Sequence, residues 1–290
     1  SVFVIAEAGS NWYAGPDEID GERFGRALEL VRVAAGAGAD AVKFQAFRAD
    51  DLYARDTEHW STVKPLELPL EWLRPLHMAC ETRGIEFMCS AFSEEMVDAV
   101  DPYVKRHKVA SLEITDLSLL RHIASKGKPV ILSTGAATWE QVGIALDNLW
   151  FHSSGYKQRD VALLHCVTAY PAPPEEANLA CLSFCDDCES GTESARRAPV
   201  GLSDHTLDPV VAPVMAVALG ATVIEKHFTL SRSLNGPDHA YALEPSELKE
   251  MVRCIRLAEK MLGDGRKRVM PSEEQWVKWQ HRDGGLRGGG

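Results

Sequence analysis

Several features are missing from this sequence, and each absence narrows what the protein can be. No apolar run reaches the roughly 18 residues that a bilayer-crossing helix needs. The opening SVFVIAEAGS carries no basic stretch ahead of its apolar residues, so it does not read as a secretory leader. The expectation is a cytoplasmic protein with no membrane partner. Positive charge is in deficit: 31 Lys and Arg against 42 Asp and Glu leave a net charge of -11. That balance argues against a broad nucleic-acid footprint, yet it permits a local basic pocket for a small anion. An even-numbered disulfide framework is absent too. Of the seven cysteines, Cys80, Cys89, Cys166 and Cys254 sit inside patterned segments, where a small buried thiol is the plain reading. Repeats, low-complexity linkers and the Gly-x-Gly-x-x-Gly turn of dinucleotide-binding folds are all lacking.

What the 290 residues do contain is enough apolar material, 45% of the chain, for a large core. Short β-branched runs alternate with longer amphipathic stretches, the pattern of parallel βα units. Strands are expected at Phe3 to Ala8, Ala41 to Ala46, Glu86 to Ala91, Lys108 to Leu112, Val130 to Ser133, Val161 to Val167, Val200 to Ser203 and Thr222 to Lys226. A helix is expected after each, including one near Leu179 to Cys185 behind the sixth strand and one at Ser246 to Met261 behind the eighth. Asp116 to Ser118, and Glu244-Pro245-Ser246 with Glu247 behind it, read as helix starts. Eight such pairs predict an α/β protein folded as a (β/α)8 TIM barrel. The barrel is expected over residues 1–266, with a tail over 267–290 that ends in a disordered GGLRGGG. Cys188 to Arg197 reads as a polar insertion.

Barrel chemistry sits at the carboxyl ends of the strands, and polar residues are dense there. Lys43 with Gln45, Ser111 with Glu113, Ser203 with His205, and Glu225 with His227 are two apart, so each pair shares one face of its strand. A buried Lys or Glu needs partners or a ligand, because stripping its water is costly. Internal salt bridges are the bland alternative to a site. His205 and His227 end adjacent strands and form a plausible pair around one divalent ion. His165, behind Leu163 and Leu164, reads instead as a structural residue lining the barrel.

The phrases IAEAGSN, ADAVKFQAF, HKVASLEITD, GKPVILSTG, LLHCVTAYP, VGLSDHT, GATVIEKHFT and GPDHAYALEP stand at successive strand ends. Together they resemble the sialic acid synthase family from Phe3 to about Gly265, nearest the branch associated with spore-coat polysaccharide synthesis. The resemblance implies condensation of phosphoenolpyruvate with a sugar aldehyde, N-acetylmannosamine or another aldose, giving a 2-keto-3-deoxy sugar acid and phosphate. On the family pattern Lys43, Ser90, Lys108, Ser111, Ser133, Thr168 and Ser203 bind phosphoenolpyruvate. His205 and His227 hold a divalent metal, Mn2+ with Mg2+ or Co2+ as alternatives, and activate the aldehyde. Glu7 and Glu113 are the candidates for proton transfer, while Gln45, Tyr170 and Asp238 meet the acceptor sugar. A homodimer is the implied assembly.

Departures from that pattern are Asn11-Trp12 for the usual Asn-His, Cys89-Ser90-Ala91-Phe92 for Ser-Thr-Pro-Phe, and Thr168 for Asn or Ser. Full-length members also carry a C-terminal antifreeze-like domain that supplies an arginine to the partner's sugar. The expectation here is a chain without it and an altered choice of acceptor. Three rival readings remain at this stage. One is a radical SAM barrel, on the C-x3-C-x2-C spacing of Cys181, Cys185 and Cys188. Another is a Schiff-base aldolase using Lys43 or Lys226. The third is a decayed barrel that only binds sugar acids.

Overall fold

A computed structural model describes residues 1–151, 160–182, 198–277 and 279–280. The sheet closes on itself in the order β1 to β8, every neighbour parallel, with β8 paired back to β1. In chain order the elements are β1 (Phe3–Gly9), α1 (Asp20–Ala37), β2 (Ala41–Ala46), α2 (Ala49–Leu52), α3 (Glu58–Val63), α4 (Leu73–Arg83), β3 (Glu86–Ala91) and α5 (Glu94–Val100). They continue with β4 (His107–Val109), α6 (Leu117–Ser125), β5 (Val130–Ser133), α7 (Trp139–Phe151), β6 (Val161–Cys166), β7 (Val200–Asp204), α8 (Val211–Ala218), β8 (Val223–His227) and α9 (Pro245–Leu262). The (β/α)8 barrel expected from the alternation is therefore the fold. Among the described residues no helix is long and apolar enough to cross a membrane.

Local chemistry sets the helix ends where the sequence marks them. Asp116 accepts a hydrogen bond from Leu119 N at 3.0 Å and starts α6. Glu247 accepts from Glu244 N at 2.8 Å, with Pro245 at the first turn of α9. Gly38 ends α1 at φ 85°, a left-handed position that suits glycine.

Period-two alternation divides every strand between two environments. Outward residues such as Val42, Phe44 and Ala46 join the main core between sheet and helices. Inward, a separate apolar plug of Ile5, Ala41, Met88, Ile131, Leu164 and Val223 fills the middle of the barrel. It closes tightly at Gly201, where an added Cβ would lie 2.4 Å from the Val223 carbonyl and 2.6 Å from Leu164 Cδ2. The next inward positions toward the carboxyl ends are polar, so the plug becomes the floor of a chamber.

Two expectations are corrected. β4 ends at Val109, and Ser111 to Thr115 form a 3-10 helix rather than continuing the strand. Ser111 and Glu113 thus do not share a strand face. Behind β6 the described residues form only 3-10 turns at Pro174–Glu176 and Leu179–Leu182 in place of a full helix, and 183–197 lie outside the described residues, the polar insertion among them. At the other end, residues 264–277 are exposed. The GGLRGGG segment lies outside the described residues.

Candidate active site

Strand parity and register bring the inward polar residues to one level. Glu7 of β1 pairs in register with Lys43 of β2 and with His227 of β8, Gln45 with Ser90, Ser90 with Lys108, and Ser203 with Glu225. Lys43 Nζ lies 2.7 Å from Glu7 Oε2 and donates to Ser90 Oγ at 2.9 Å. Lys108 Nζ donates to Ser133 Oγ at 2.7 Å and to the Val109 carbonyl at 3.0 Å. Glu225 Oε1 stands 3.7 Å from both ammonium groups and accepts from Ser203 Oγ at 3.4 Å. Two lysines, two carboxylates and three serines are thus buried together above the plug.

Burial sets the protonation of this cluster, and neighbours modify it. Desolvation raises the Glu7 carboxyl to about 7 despite the opposing Lys43 charge. For Lys43, burial works against the charge, but Glu225 and Glu7 outweigh it and hold the amine above its ordinary value. Lys108 is lowered because burial wins there over the same carboxylates. Glu225 resists burial through Lys108 and Lys43 and stays below the usual carboxylate range. Burial thus moves Glu7, among the carboxyls of the cluster, toward its protonated form near neutrality, while the paired lysines keep Glu225 ionised more readily.

Above lies an open cavity of about 640 Å³. Ser111, Glu113 and Thr168 line one side, and Gln45, Tyr170, His227 and Asp238 the other. Gln45 Nε2 donates to Glu7 Oε1 at 2.8 Å, linking this mouth to the lysine cluster. Gly9, at φ 51°, makes the link possible: a Cβ there would meet Asp238 Oδ2, Gln45 Nε2 and Glu7 Oε1 at 3.2 to 3.4 Å. Gly135 does the same across the mouth, where a Cβ would come within 2.2 Å of Thr168 Oγ1 and 2.8 Å of Ser111 Oγ. Among the described residues Thr168 Oγ1 and Glu113 Oε2 are buried without a hydrogen-bond partner, and burial raises the Glu113 carboxyl. Unspent polar atoms of this kind mark a place that a polar ligand completes.

The two histidines meet beside Tyr170, with their ring centroids 5.7 Å apart. His205 Nδ1 faces the Val167 carbonyl at 2.7 Å, which fixes the proton there and frees Nε2 as a lone pair. Burial lowers His227, favouring the neutral imidazole, and its buried Nδ1 has no hydrogen-bond partner among the described residues. Two adjacent imidazoles suit a divalent ion with several positions left for water or substrate oxygen. Among the described residues no group of three His, Cys, Asp or Glu side chains gathers around a metal position.

Every residue singled out at the strand ends reaches this chamber or its mouth, with three qualifications to the wider reading. His165 does not line the barrel; Leu164 and Cys166 take the inward positions of β6, and the imidazole Nε2 bonds the Ala177 carbonyl at 2.8 Å. Lys226 also points away from the chamber, to Asp204 Oδ2 and the Thr206 carbonyl at 2.5 Å each, so it is no Schiff-base lysine for this site. Cys185 and Cys188 lie outside the described residues, while Cys181 accepts from Asn178 Nδ2 at 3.0 Å. The sequence reading also gave too little weight to three residues. Glu225 is the hub between the lysines; its parity with His227 carried that signal. Cys166 faces inward, 3.8 Å from His205 Nδ1. Tyr241 donates to Asp238 Oδ1 at 2.7 Å from a loop that no strand periodicity reaches.

The sequence matches the NeuB family over residues 30–267. The chain belongs to the NeuB family. Among curated relatives, the uncharacterized protein MJ1065 of Methanocaldococcus jannaschii is 42% identical over 280 residues, covering 95% of this chain and 76% of its own length. The spore coat polysaccharide biosynthesis protein SpsE of Bacillus subtilis is 38% identical, covering 91% and 69%. The N,N'-diacetyllegionaminic acid synthase of Legionella pneumophila is also 38% identical, covering 93% and 76%. Among solved structures, the N-acetylneuraminic acid synthetase of Leptospira borgpetersenii superposes with a TM-score of 0.83 at 31% identity, over 96% of this chain and 90% of that one. This NeuB family chain is thus an enzyme of the sialic acid synthase type, as the strand-end phrases implied.

Proposed function

We propose that this enzyme condenses phosphoenolpyruvate with a sugar aldehyde, releasing inorganic phosphate and a 2-keto-3-deoxy sugar acid. The observation that carries the reading is the pair of buried lysines, Lys43 and Lys108, each holding a serine hydroxyl and both facing Glu225 above a dry apolar floor. Phosphoenolpyruvate brings a phosphate and a carboxylate, and such a pocket supplies charge-assisted donors to both in a water-poor setting. Ser111 and Thr168, with the space kept open by Gly135, extend those donors toward the mouth.

Gln45, Tyr170 and Asp238 line the mouth where a polyhydroxylated aldehyde enters. His205 and His227 are the residues that would hold a divalent ion, Mn2+ being the first to try. When bound, such an ion supplies Lewis-acid polarisation of the aldehyde oxygen. The enol carbon of phosphoenolpyruvate bonds to the aldehyde carbon, whose oxygen takes up a proton. Water then adds to the cationic carbon that bears the phosphate ester. The adduct loses phosphate through carbon–oxygen cleavage and leaves the keto group. Glu7, with its carboxyl near 7, is placed to take the proton of that water. Glu113, raised by burial at the rim, is the second proton-transfer group.

The decisive experiment incubates phosphoenolpyruvate and Mn2+ with a panel of aldoses that begins with N-acetylmannosamine. Phosphate release and product mass are followed. Aldose-dependent phosphate release with a product of the summed mass, less phosphate plus water, is expected. Phosphate release that needs no aldose, or none across the panel despite bound phosphoenolpyruvate, overturns the reading.

A further inference from the structure

Asp204 and Lys226 form a buried ion pair that the reaction proposed for the chamber does not use. They face each other in register across β7 and β8, directly before His205 and His227 in the chain. Strand parity turns both side chains to the outer side of the sheet, with Leu202 and Ile224 of the main core, while Ser203 and Glu225 face inward. Lys226 Nζ lies 2.5 Å from Asp204 Oδ2 and 2.5 Å from the Thr206 carbonyl, with Thr206 Oγ1 at 3.4 Å. The other carboxylate oxygen, Asp204 Oδ1, accepts from Thr206 N at 2.9 Å. Carboxylate and ammonium together grip Thr206 by its amide and its carbonyl. His205 is the residue spanned by that grip.

The two histidines differ in how the sheet holds them. His227 is the last residue of β8, in register with Glu7 of β1, and the next amide, Phe228 N, donates to the Glu7 carbonyl at 2.9 Å. His205 stands past the end of β7, where the pairing with β6 runs to Ser203 and the pairing with β8 to Asp204. Its carbonyl accepts from Ala172 N at 2.9 Å, and the bond from its ring to the Val167 carbonyl sets the rotation of the imidazole. The backbone that follows is held by the ion pair. As a device for stability alone such a pair has little advantage, because apolar side chains of similar volume are often as stabilising in the same place. What apolar side chains do not supply is the directed hold on Thr206.

We propose that Asp204 and Lys226 are positioning residues, a clamp that holds the His205 imidazole at the spacing from His227 at which both rings reach one divalent ion. The inference rests on the assignment of that ion to the two rings, whose centroids lie 5.7 Å apart, and extends it to groups that touch neither ion nor substrate. Partners of this kind, one shell behind the ligands, orient a metal-binding ring and set its affinity.

The test combines Asp204→Leu with Lys226→Met, which replaces the ion pair by apolar side chains and is expected to keep the melting temperature while releasing Thr206. Mn2+ affinity, titrated calorimetrically, is expected to fall about 10- to 100-fold. Phosphoenolpyruvate affinity without metal is expected to stay unchanged, since neither side chain faces the chamber. Lys226→Arg, which keeps the charge and brings donors for both partners, is expected to retain Mn2+ affinity to within a few-fold. A second readout needs no metal. The His205 Nδ1 proton, bonded to the Val167 carbonyl, is expected as a low-field resonance that His205→Ala removes and that shifts or broadens in the apolar double variant. If that variant fails to fold on thermal melting, Asp204→Asn, isosteric but without the charge that holds the ammonium, is expected to lower Mn2+ affinity several-fold and to disturb the same resonance. Unchanged Mn2+ affinity or an unaltered His205 resonance in a folded variant overturns the clamp. So does a loss of phosphoenolpyruvate affinity as large as the loss for Mn2+, which makes the pair a general structural element. A wild type that binds no Mn2+, with the resonance disturbed in the variant, leaves the clamp on His205 standing and defeats the metal assignment instead.

Discussion

At the scale of single residues, the lysine cluster decides what this chamber prefers to hold. Lys43 and Lys108 are almost wholly removed from water, and Glu7, Glu225, two serine hydroxyls and the Val109 carbonyl compensate them. An anion that brings its own charge and acceptors completes that network, so truncating either lysine removes charge-assisted hydrogen bonds. Lys43→Ala and Lys108→Ala are each expected to weaken phosphoenolpyruvate binding by about 1.5 to 3 kcal/mol, measured calorimetrically. Unchanged affinity in both variants contradicts the assignment. Glu7 offers a test of different kind. Burial raises its carboxyl to about 7, and a base works only in its ionised form. The rate kcat/KM should therefore be level above that value and fall about tenfold per pH unit below it, because the proton occupies Glu7 there. A profile that is flat between pH 5.5 and 8 removes Glu7 from that role.

At the scale of elements, strands and caps were legible because their chemistry is local. The β2, β3 and β5 limits follow the apolar alternation, and inward parity already grouped Lys43 with Gln45 and Glu225 with His227. The helix starts read from Asp116 and from Glu244 to Glu247 are where the chain places them. Asp116→Ala removes the acceptor for Leu119 N and should lower stability by about 1 kcal/mol in denaturant titration, without changing phosphoenolpyruvate affinity. A loss under a few tenths of a kcal/mol contradicts that role. The pattern misled at β4, where VASLEI continues the apolar alternation past the strand end. There Ser111 donates no strand pairing, but its Oγ accepts from Gly135 N at 3.1 Å, and the chain turns into a 3-10 helix to reach that partner. A tertiary hydrogen bond of this kind leaves no trace in periodicity. Tyr241 was illegible for the same reason, since long-range packing rather than strand parity brings it to the mouth.

At the scale of the whole molecule, the barrel separates what holds it together from what it does. The apolar plug and the outer core close the sheet without any side chain of the chamber, while His227 ends β8 at the cavity mouth and His205 directly follows β7, its ring beside that of His227. A metal held there is expected to contribute to turnover and little to folding. His205 supports the point: its own bond to the Val167 carbonyl orients the ring without an ion. Chelation should therefore abolish phosphate release from phosphoenolpyruvate and aldose while the far-ultraviolet circular dichroism is retained, and added Mn2+ should restore the rate. A His205→Ala, His227→Ala double variant should stay folded and fail to recover with Mn2+, because the ion has lost both imidazoles that position it. Full turnover of that double variant in chelator defeats the assignment. Loss of the dichroism signal on chelation of the wild type instead makes the ion a structural element, against the separation of core and chamber argued here.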